Sequence, residues 1–464
     1  MIDTAFPPSV DRNAFDEFVR QELARWAVPG AAVGILHEGE TALSSFGVTS
    51  RDTRQPVTPD TLFRVASITK PFTATLAMTL VNDGVLDLDR PIVEYLPEIS
   101  LSDAEPARQA AITMRHLLSH TAGIDCELDA DLATVGAGDD ALSQAIAMFG
   151  GLHQWCEPGE IMSYGNTGFW LAGHVIATLL RSTFEDAMRE RVFAPLGLER
   201  SLFTAEEAIV YPVALGHAPK SLADDTHELI RSYAYPRART PSGGVISTVI
   251  DLLEFARWHM GDSERVLGIS DDLRMSMQEP FIRLRSADRE SWGIGWDIRE
   301  TAEGTRIIGH GGSYGGFQTQ LTIVPSRGFA FAILTNSARG GMANTGIERQ
   351  ALADYLDLAL PVADTRELSG ADLMALSGTY RQPLAMYEFV AAGFGLNATV
   401  REHGVQGVQL PEPPLIHFEP IGESDFIVRE GDFSGTRADF LRDPYSGLPT
   451  HVRIGLRIAE RVDD

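Results

Sequence analysis

Apolar residues recur at helical spacing near the start of the chain and again from residue 67. Residues 11–28 predict an amphipathic helix, because their apolar side chains fall on one face. Two alternating runs that meet at residues 38–40 predict a β-hairpin. Residues 67–83 predict a second helix, which ends at Gly84 because a glycine commonly follows the last helical residue.

The middle of the chain, residues 90–260, combines helical patterns with loops, and its predicted helices are 115–120, 142–149, 168–180 and 183–192. From about residue 291 the apolar positions alternate, which predicts strands at 292–298, 305–309, 316–324 and 329–335 before a helix at 344–359. A hairpin, a long helical insertion, further strands and a closing helix together indicate an α+β fold, with a sheet and a helical partner.

The composition changes near residues 361–369, and short alternating segments separated by turn residues follow. They predict strands at 379–381, 387–390, 396–401, 405–410, 416–419, 426–429, 437–441 and 452–456. This pattern is typical of a small antiparallel barrel or sandwich. We therefore expect two domains, one at residues 1–362 and an all-β one at residues 363–464.

Charge and composition narrow the class of function. A net charge of −26 argues against binding to nucleic acid or to anionic membranes. No apolar run reaches about 18 residues, and the N-terminus lacks the basic start and apolar core of a signal peptide, so we expect a cytoplasmic protein. Cys126 and Cys156 form neither a disulfide framework nor a zinc pattern, and the sequence predicts no cofactor and no metal.

Lysine is rare here, since 36 of the 38 basic residues are arginine and two are lysine. One lysine, Lys70, follows Ser67 by three residues, which puts both on one face at the start of the predicted helix. A desolvated lysine can lose its proton and act as a base, whereas arginine cannot. The spacing alone also fits a surface lysine beside a helix-capping serine. The rest of the sequence must therefore distinguish a catalytic pair from a surface lysine.

Two further segments carry chemistry. Tyr164 and Asn166 lie two residues apart just before a predicted helix, where Asn166 alone would be read as a helix cap. His310, Gly311 and Gly312 end a predicted strand, where glycines let a substrate backbone approach closely. A histidine beside glycines, taken alone, is more often structural.

Together the three segments resemble the serine β-lactamase and penicillin-binding-protein family, in the branch that holds class C enzymes, esterases and D-amino-acid peptidases. That family carries Ser-x-x-Lys, Tyr-x-Asn, and Lys-Thr-Gly or His-x-Gly, in this order. The sequences at 62–66, 117–123 and 241–251 are similar as well, and the resemblance covers about residues 10–360. It implies a β-lactamase-like antiparallel sheet with flanking helices and an all-α subdomain.

The resemblance implies a role for each matching residue. Ser67 is the nucleophile that forms an acyl-enzyme, Lys70 activates it, and Tyr164 relays the proton. His310 takes the place of the family's third-motif lysine and contacts Tyr164.

Substrate binding is implied in the same way. Asn166 holds Lys70 and a substrate amide, and the backbone N–H groups of Ser67 and Ser313, with Gly312 before it, form the oxyanion hole. The implied activity is a serine hydrolase acting on a small ester, amide or short peptide.

The third motif departs from the family pattern, since His-Gly-Gly stands where Lys-Thr-Gly is found in class C β-lactamases and transpeptidases. Those enzymes use the lysine and the hydroxyl for a substrate carboxylate. Their absence favours an esterase, an amidase or a D-stereospecific peptidase over an efficient β-lactamase. Residues 376–380 resemble the opening strand of the lipocalin-like domains attached to such enzymes, which can cover the active site or build homo-oligomers.

Three other hypotheses remain open at this point. Ser313 lies in a Gly-x-Ser-x-Gly sequence like the elbow of α/β-hydrolases, although the segment after it alternates like a strand. His116 and His120 have a zinc-binding spacing without the usual glutamate. A β-lactamase-like fold can also serve as a penicillin-binding sensor that is acylated with little turnover.

Overall fold

The computed structural model of the protein describes most of the chain, namely residues 11–99, 106–124, 135–149, 152–219, 227–261, 266–285, 290–361, 363–383, 385–402, 415–431 and 433–462. Among these residues, helices dominate between residues 69 and 276, six strands follow between residues 282 and 335, and short strands dominate after residue 377. None of the described helices is long and apolar enough to cross a bilayer.

The α-helices are α1 Arg12–Arg25, α2 Thr69–Asn82, α3 Pro106–Ala110, α4 Met114–Leu118, α5 Ala141–Ala147, α6 Thr167–Leu180, α7 Phe184–Met188, α8 Ala194–Leu196, α9 Ala205–Ala208, α10 Thr240–Gly243, α11 Val249–Met260, α12 Asp271–Ser276, α13 Gly340–Leu356 and α14 Gly370–Leu376. The strands before the C-terminal part are β1 Gly30–His37, β2 Glu40–Gly47, β3 Phe63–Arg64, β4 His217–Pro219, β5 His227–Leu229, β6 Ile246–Ser247, β7 Ile282–Arg285, β8 Glu290–Trp292, β9 Asp297–Glu300, β10 Arg306–Tyr314, β11 Phe317–Val324 and β12 Phe329–Thr335.

Eight of these strands, among the described residues, form one antiparallel sheet in the order β2-β1-β12-β11-β10-β9-β8-β7. One face packs against α1 and α13 through a core that includes Phe15, Val19 and Ile347. The other face packs against α2, α11 and the helical region through a core that includes Phe72 and Phe255. The sheet lies between two helical layers, and the predicted α+β class is confirmed.

The C-terminal strands close on themselves. They are β13 Gly378–Gln382, β14 Ala385–Ala392, β15 Gly395–Glu402, β16 Leu415–Pro420, β17 Asp425–Ile427, β18 Arg437–Arg442, β19 Pro449–Ile454 and β20 Arg457–Val462, and each pairs with the next until β20 pairs with β13. The interior is filled by aromatic side chains such as Tyr380, Phe389 and Phe440. The predicted barrel is therefore confirmed, and its centre is a packed core.

Glycines explain two strand predictions that are wrong. The predicted strand 292–298 is a hairpin, because the chain turns between Trp292 and Asp297, where Gly295 has a φ of +76°. The predicted strand 452–456 ends at Ile454, because Gly455 has a φ of +60° and begins a turn into β20. The sequence pattern did not predict β20 at all, and the predicted strand 405–410 lies outside the described residues.

Candidate active site

Ser67 lies in a tight turn at the start of α2. A 3₁₀ turn spans Ala66–Ile68 and leads directly into the helix, so Ser67 projects at the helix N-terminus. Ala66 has a φ of +48°, a left-handed conformation that is unfavourable for a residue with a Cβ. Such strain concentrates at functional sites, where the surrounding structure holds the backbone.

Lys70 is fully buried, and its amine is surrounded by oxygen atoms. Nζ lies 3.1 Å from Ser67 Oγ, 2.8 Å from Asn166 Oδ1 and 2.9 Å from the carbonyl oxygen of Ser242. Ser242 is held in turn by Trp170, whose Nε1 donates to its Oγ at 2.8 Å. The sequence-predicted pair Ser67–Lys70 is therefore in direct contact, and helix α6 and turn α10 supply the partners.

Asn166 is the N-cap residue of α6, but its side chain makes no capping hydrogen bond. Its side-chain oxygen is instead bound to Lys70. The simple reading of Asn166 as a helix cap is wrong, because the side chain is turned toward the lysine.

The Tyr164 ring lies over the lysine, with Lys70 Nζ 4.7 Å from the ring centre. The ring centre is also 4.4 Å from that of His120, 5.9 Å from that of Trp292 and 6.0 Å from that of His310. Trp292 also contacts His120 and His310, so the second and third sequence motifs meet the first at this point.

His310 is buried and neutral. Burial, with a smaller contribution from the nearby Lys70, lowers its pKa to about 3. Nδ1 lies 2.6 Å from the carbonyl oxygen of Gly311, which can only accept, so Nδ1 carries the proton. Nε2 then presents a lone pair, and it has no hydrogen-bond partner within the described chain.

His120 is a site residue whose position the sequence alone did not predict. It is buried, accepts a hydrogen bond from the Gly165 N–H at its Nδ1, and has its pKa held well below the ordinary value by burial and by Lys70. The sequence indicates His120 through the family resemblance of segment 117–123 and through its spacing from His116, and neither pattern predicts contact with Tyr164.

Strand β10 carries His310, Gly312 and Ser313 past the Ser67 turn. A Cβ on Gly312 would lie 2.1 Å from the carbonyl oxygen of Val65, so only glycine permits this approach. The β10–β11 hairpin closes at the pair Tyr314–Phe317, and β9 pairs with β10 only as far as Gly309. Ser313 is therefore at a position whose N–H points away from β11, toward the open edge of β10.

An open cavity of about 800 Å³ contains these groups. Its walls include Ser67, Tyr164, Asn166 and the strand β10 residues, together with barrel residues that the sequence did not indicate, namely Gly435, Thr436, Arg437, Gly455, Leu456 and Arg457. The barrel thus borders the cavity. The turn at Gly455 forms part of this wall, although the sequence pattern predicts a strand at residues 452–456.

Two of the other sequence hypotheses, the nucleophile elbow and the zinc site, find no support in the geometry. Ser313 lies inside an antiparallel hairpin rather than between a strand and a helix, so it is not a nucleophile elbow. His116 accepts a hydrogen bond from the Thr113 N–H in a capping box, while His120 lies beside Tyr164. Among the described residues, no group of three or more His, Cys, Asp or Glu side chains could hold a metal ion.

Cys156 is buried and unpaired, and burial raises the pKa of its thiol to about 12, which makes it unreactive. Cys126 lies outside the described residues.

Comparisons with known proteins agree with this geometry. Penicillin-binding protein 4 of Amycolatopsis lactamdurans is 34% identical over 366 residues, which are 76% of this chain and 93% of that protein. The crystal structure of SurE has a TM-score of 0.75 and 25% identity, and the match covers 97% of this chain and 99% of that one. The octameric penicillin-binding protein homologue from Pyrococcus abyssi has the same fold, with a TM-score of 0.66, 23% identity and coverage of 97% and 100%.

The Beta-lactamase family profile matches residues 15–355, which hold all three sequence motifs and the whole eight-stranded sheet. By that match, and by its similarity to a penicillin-binding protein, this chain belongs to the Beta-lactamase family.

Proposed function

We propose that this protein is a serine hydrolase that works through an acyl-enzyme on Ser67, with an ester, an amide or a short peptide as substrate. The observation that carries the proposal is the contact of the buried Lys70 amine with Ser67 Oγ, Asn166 Oδ1 and the Ser242 carbonyl. Membership in a family of serine hydrolases supports the general activity.

As the base, Lys70 must react in its neutral form, and the arrangement around the amine can accommodate that form as well as the ammonium. A neutral amine has two N–H donors and one lone pair, and the oxygens of Asn166 and Ser242 can accept both donors. The lone pair then faces Ser67 Oγ and can take its proton as the oxygen attacks the substrate carbonyl. Burial removes the hydration of the charged form and so assists its deprotonation, whereas the three oxygen atoms and the Tyr164 ring stabilise the charge that contributes to the low pKa of His310.

Tyr164 completes the proton path in this proposal. Its ring lies over the Lys70 amine, and by the family's pattern its hydroxyl passes a proton to the leaving group and later takes one from the water that releases the acyl group. The ring centre of His310 lies 6.0 Å from that of Tyr164, and its neutral form keeps an acceptor at Nε2 that no group of the described chain occupies.

The backbone N–H groups of Ser67 and Ser313 are the proposed oxyanion hole. Ser67 lies at a helix N-terminus, which stabilises negative charge, and the Ser313 N–H points toward the open edge of β10. The close approach at Gly312 brings β10 against the turn that carries Ser67.

The third motif favours a substrate that carries no carboxylate at the place that this motif contacts. A cation and a hydroxyl at this place bind a substrate carboxylate in class C enzymes, whereas here His310 is neutral and Gly311 has no side chain. We therefore favour esters, amides and D-aminoacyl peptides over β-lactams. The alternative, a penicillin-binding protein that is acylated with little turnover, is supported by the name of the Amycolatopsis relative.

Labelling tests the nucleophile. The protein is treated with a fluorophosphonate and the adduct is mapped by mass spectrometry, with Ser67→Ala as the control. Modification of Ser67 in the wild type and none in the control is expected. Modification of Ser313, or of neither serine, would overturn the proposal.

A substrate panel separates the candidate activities. Turnover of a p-nitrophenyl ester, nitrocefin, and D- and L-aminoacyl amides is compared on the same preparation. We expect turnover of the ester or of the D-aminoacyl amides well above that of nitrocefin. A stable adduct with a fluorescent penicillin, without turnover of any substrate, would instead support the sensor.

The same proposal assigns the chemistry to residues 1–362 and a supporting role to residues 363–464. We also propose a cytoplasmic location and a homo-oligomer. Because one structural homologue is octameric, the oligomeric state is to be measured by light scattering after gel filtration. The net charge of −26 supports a small-molecule substrate rather than a nucleic acid or an anionic membrane as the partner.

A further inference from the structure

The hairpin β19–β20 of the barrel binds the chain segment that carries Tyr164. The Tyr164 N–H donates to the carbonyl oxygen of Leu456 at 2.7 Å. The Ile458 N–H donates to Ser163 Oγ at 3.2 Å. Two hydrogen bonds between the barrel and adjacent residues of this segment therefore fix the backbone on which the Tyr164 ring depends.

Arg453, on β19, adds a third and buried connection. Its side chain is 3% exposed, and its Nε and Nη2 donate to the carboxylate of Asp439 on β18. The same guanidinium donates from Nη1 to the carbonyl oxygen of Met162 at 3.1 Å, and from Nη2 to that of Leu284 at 2.9 Å. One rigid cation thus joins two barrel strands to the residue two positions before Tyr164 and to strand β7.

Apolar packing surrounds these polar contacts. Met162, Leu284 and Trp292 form a small buried cluster, and Tyr164 and the barrel residue Leu456 pack against it. Trp292 also contacts Tyr164 and His310 through its ring. The carbonyl oxygens that Arg453 holds therefore belong to residues that pack beside the candidate catalytic tyrosine.

We propose that Arg453 is a positioning residue of the active site, which fixes residues 162–164 so that the Tyr164 ring stays over the Lys70 amine. The inference rests on the proposed function, because the position of Tyr164 matters only if this residue relays a proton. Guanidinium suits the task because its planar fork can bind the carboxylate and both carbonyl oxygens in fixed directions.

The substitution Arg453→Lys tests this role while it keeps the positive charge beside Asp439. An ammonium cannot reach the carboxylate and both carbonyl oxygens in these directions, so Tyr164 should lose its fixed position. We expect kcat for the preferred ester to fall by about tenfold to a hundredfold, with little change in KM. Arg237→Lys is the control for the same substitution away from the tyrosine, since the partly buried Arg237 binds Glu185, Asp139 and the Ala137 carbonyl oxygen in the helical region, and its activity should stay within about twofold of wild type.

A double-variant cycle separates positioning from a general structural effect. In a Tyr164→Phe background, Arg453→Lys should lower the remaining kcat by less than about twofold, because the group that Arg453 positions is already gone. Equal losses in both backgrounds, or wild-type kcat in folded Arg453→Lys, would overturn the inference. Labelling of Ser67 in the wild-type protein is measured separately. Its absence would contradict the proposed function, whereas the kcat comparison tests only the role of Arg453.

A milder variant covers the case in which Arg453→Lys does not fold by circular dichroism. Ser163→Ala removes the oxygen that accepts the Ile458 N–H but leaves the Arg453–Asp439 pair intact. It should lower kcat by about threefold or more, and this loss too should vanish in the Tyr164→Phe background. Unchanged kcat in Ser163→Ala would count against a positioning role of the barrel hairpin.

Discussion

At the scale of single residues, the identity of Lys70 carries the chemistry. We expect Lys70→Arg to lower ester turnover and the rate of Ser67 labelling by about 10²-fold to 10⁴-fold, because guanidinium stays protonated and cannot act as a base. Lys220→Arg is a matched control, since it makes the same change at the other lysine of the chain, which lies outside the described residues. Activity of Lys70→Arg close to that of wild type would show that the amine is not the base.

His310 should make the protein less stable in acid. Its pKa is about 3 in the folded protein and about 6.5 in an unfolded chain, so the unfolded state takes up a proton that the folded state does not. The free energy of unfolding therefore falls as the pH falls below about 6.5, by at most about 1.4 kcal/mol per pH unit, and His310 has no such effect above that pH.

The variant His310→Gln isolates this contribution, because glutamine does not titrate. Asp251, whose pKa burial raises to about 6, changes stability in the opposite direction, and the comparison with wild type cancels it. Urea unfolding from pH 5 to pH 8 should give a shallower acid slope for the variant. Identical slopes in the two proteins would mean that His310 is protonated in the folded state near pH 6.

At the scale of elements, the approach of β10 to the Ser67 turn depends on one glycine. A Cβ at position 312 would lie 2.1 Å from the Val65 carbonyl oxygen and 2.3 Å from Thr319 Oγ1. We expect Gly312→Ala to cost about 1–3 kcal/mol of unfolding free energy and most of the labelling at Ser67, because the strand must move away from the turn.

The neighbouring glycine provides the control. A Cβ at position 311 would meet the flexible end of Gln320 at 3.2 Å and the Thr319 carbonyl oxygen at an ordinary 3.7 Å, and Gly311 is exposed. Gly311→Ala should therefore unfold at nearly the wild-type urea concentration. Equal destabilisation by both substitutions would show that the close approach is not what requires Gly312.

The elements also show what the sequence could and could not predict. Helix α2 and hairpin β1–β2 followed from local periodicity, because their apolar faces repeat over many residues. The strand predicted at 292–298 failed because alternating apolar residues continue through a turn at Gly295. A glycine inside an alternating segment permits either a strand or a turn, and only long-range packing decides between them.

The candidate site also has one part that the sequence predicts and one part that it does not. Ser67, Lys70, Tyr164 and His310 lie within motifs whose spacing is visible in the chain, and the structure brings them together. Contacts that join residues almost 300 positions apart, such as Arg453 with Met162, leave no local pattern. The contribution of the barrel to the site therefore could not be predicted from one sequence.

At the scale of the whole molecule, the buried pair Arg453–Asp439 should couple the barrel to the sheet. Removal of one partner leaves the other as an uncompensated buried charge, so Arg453→Met should lower the free energy of unfolding by about 3–5 kcal/mol. Because the guanidinium also binds the carbonyl oxygens of Met162 and Leu284, this loss is shared by both parts of the molecule.

An exposed ion pair in the C-terminal part of the chain serves as the control for the buried pair Arg453–Asp439. Arg366 and Glu423 form an ion pair in which both side chains are more than half exposed, and such pairs contribute less than about 1 kcal/mol. Urea unfolding followed by tryptophan fluorescence should therefore shift strongly for Arg453→Met and hardly at all for Arg366→Met. All six tryptophans precede residue 363, so the fluorescence reports on the sheet-and-helix part of the chain. A small shift for Arg453→Met would show that this part is stable without the barrel contact, and the two would then act as independent units.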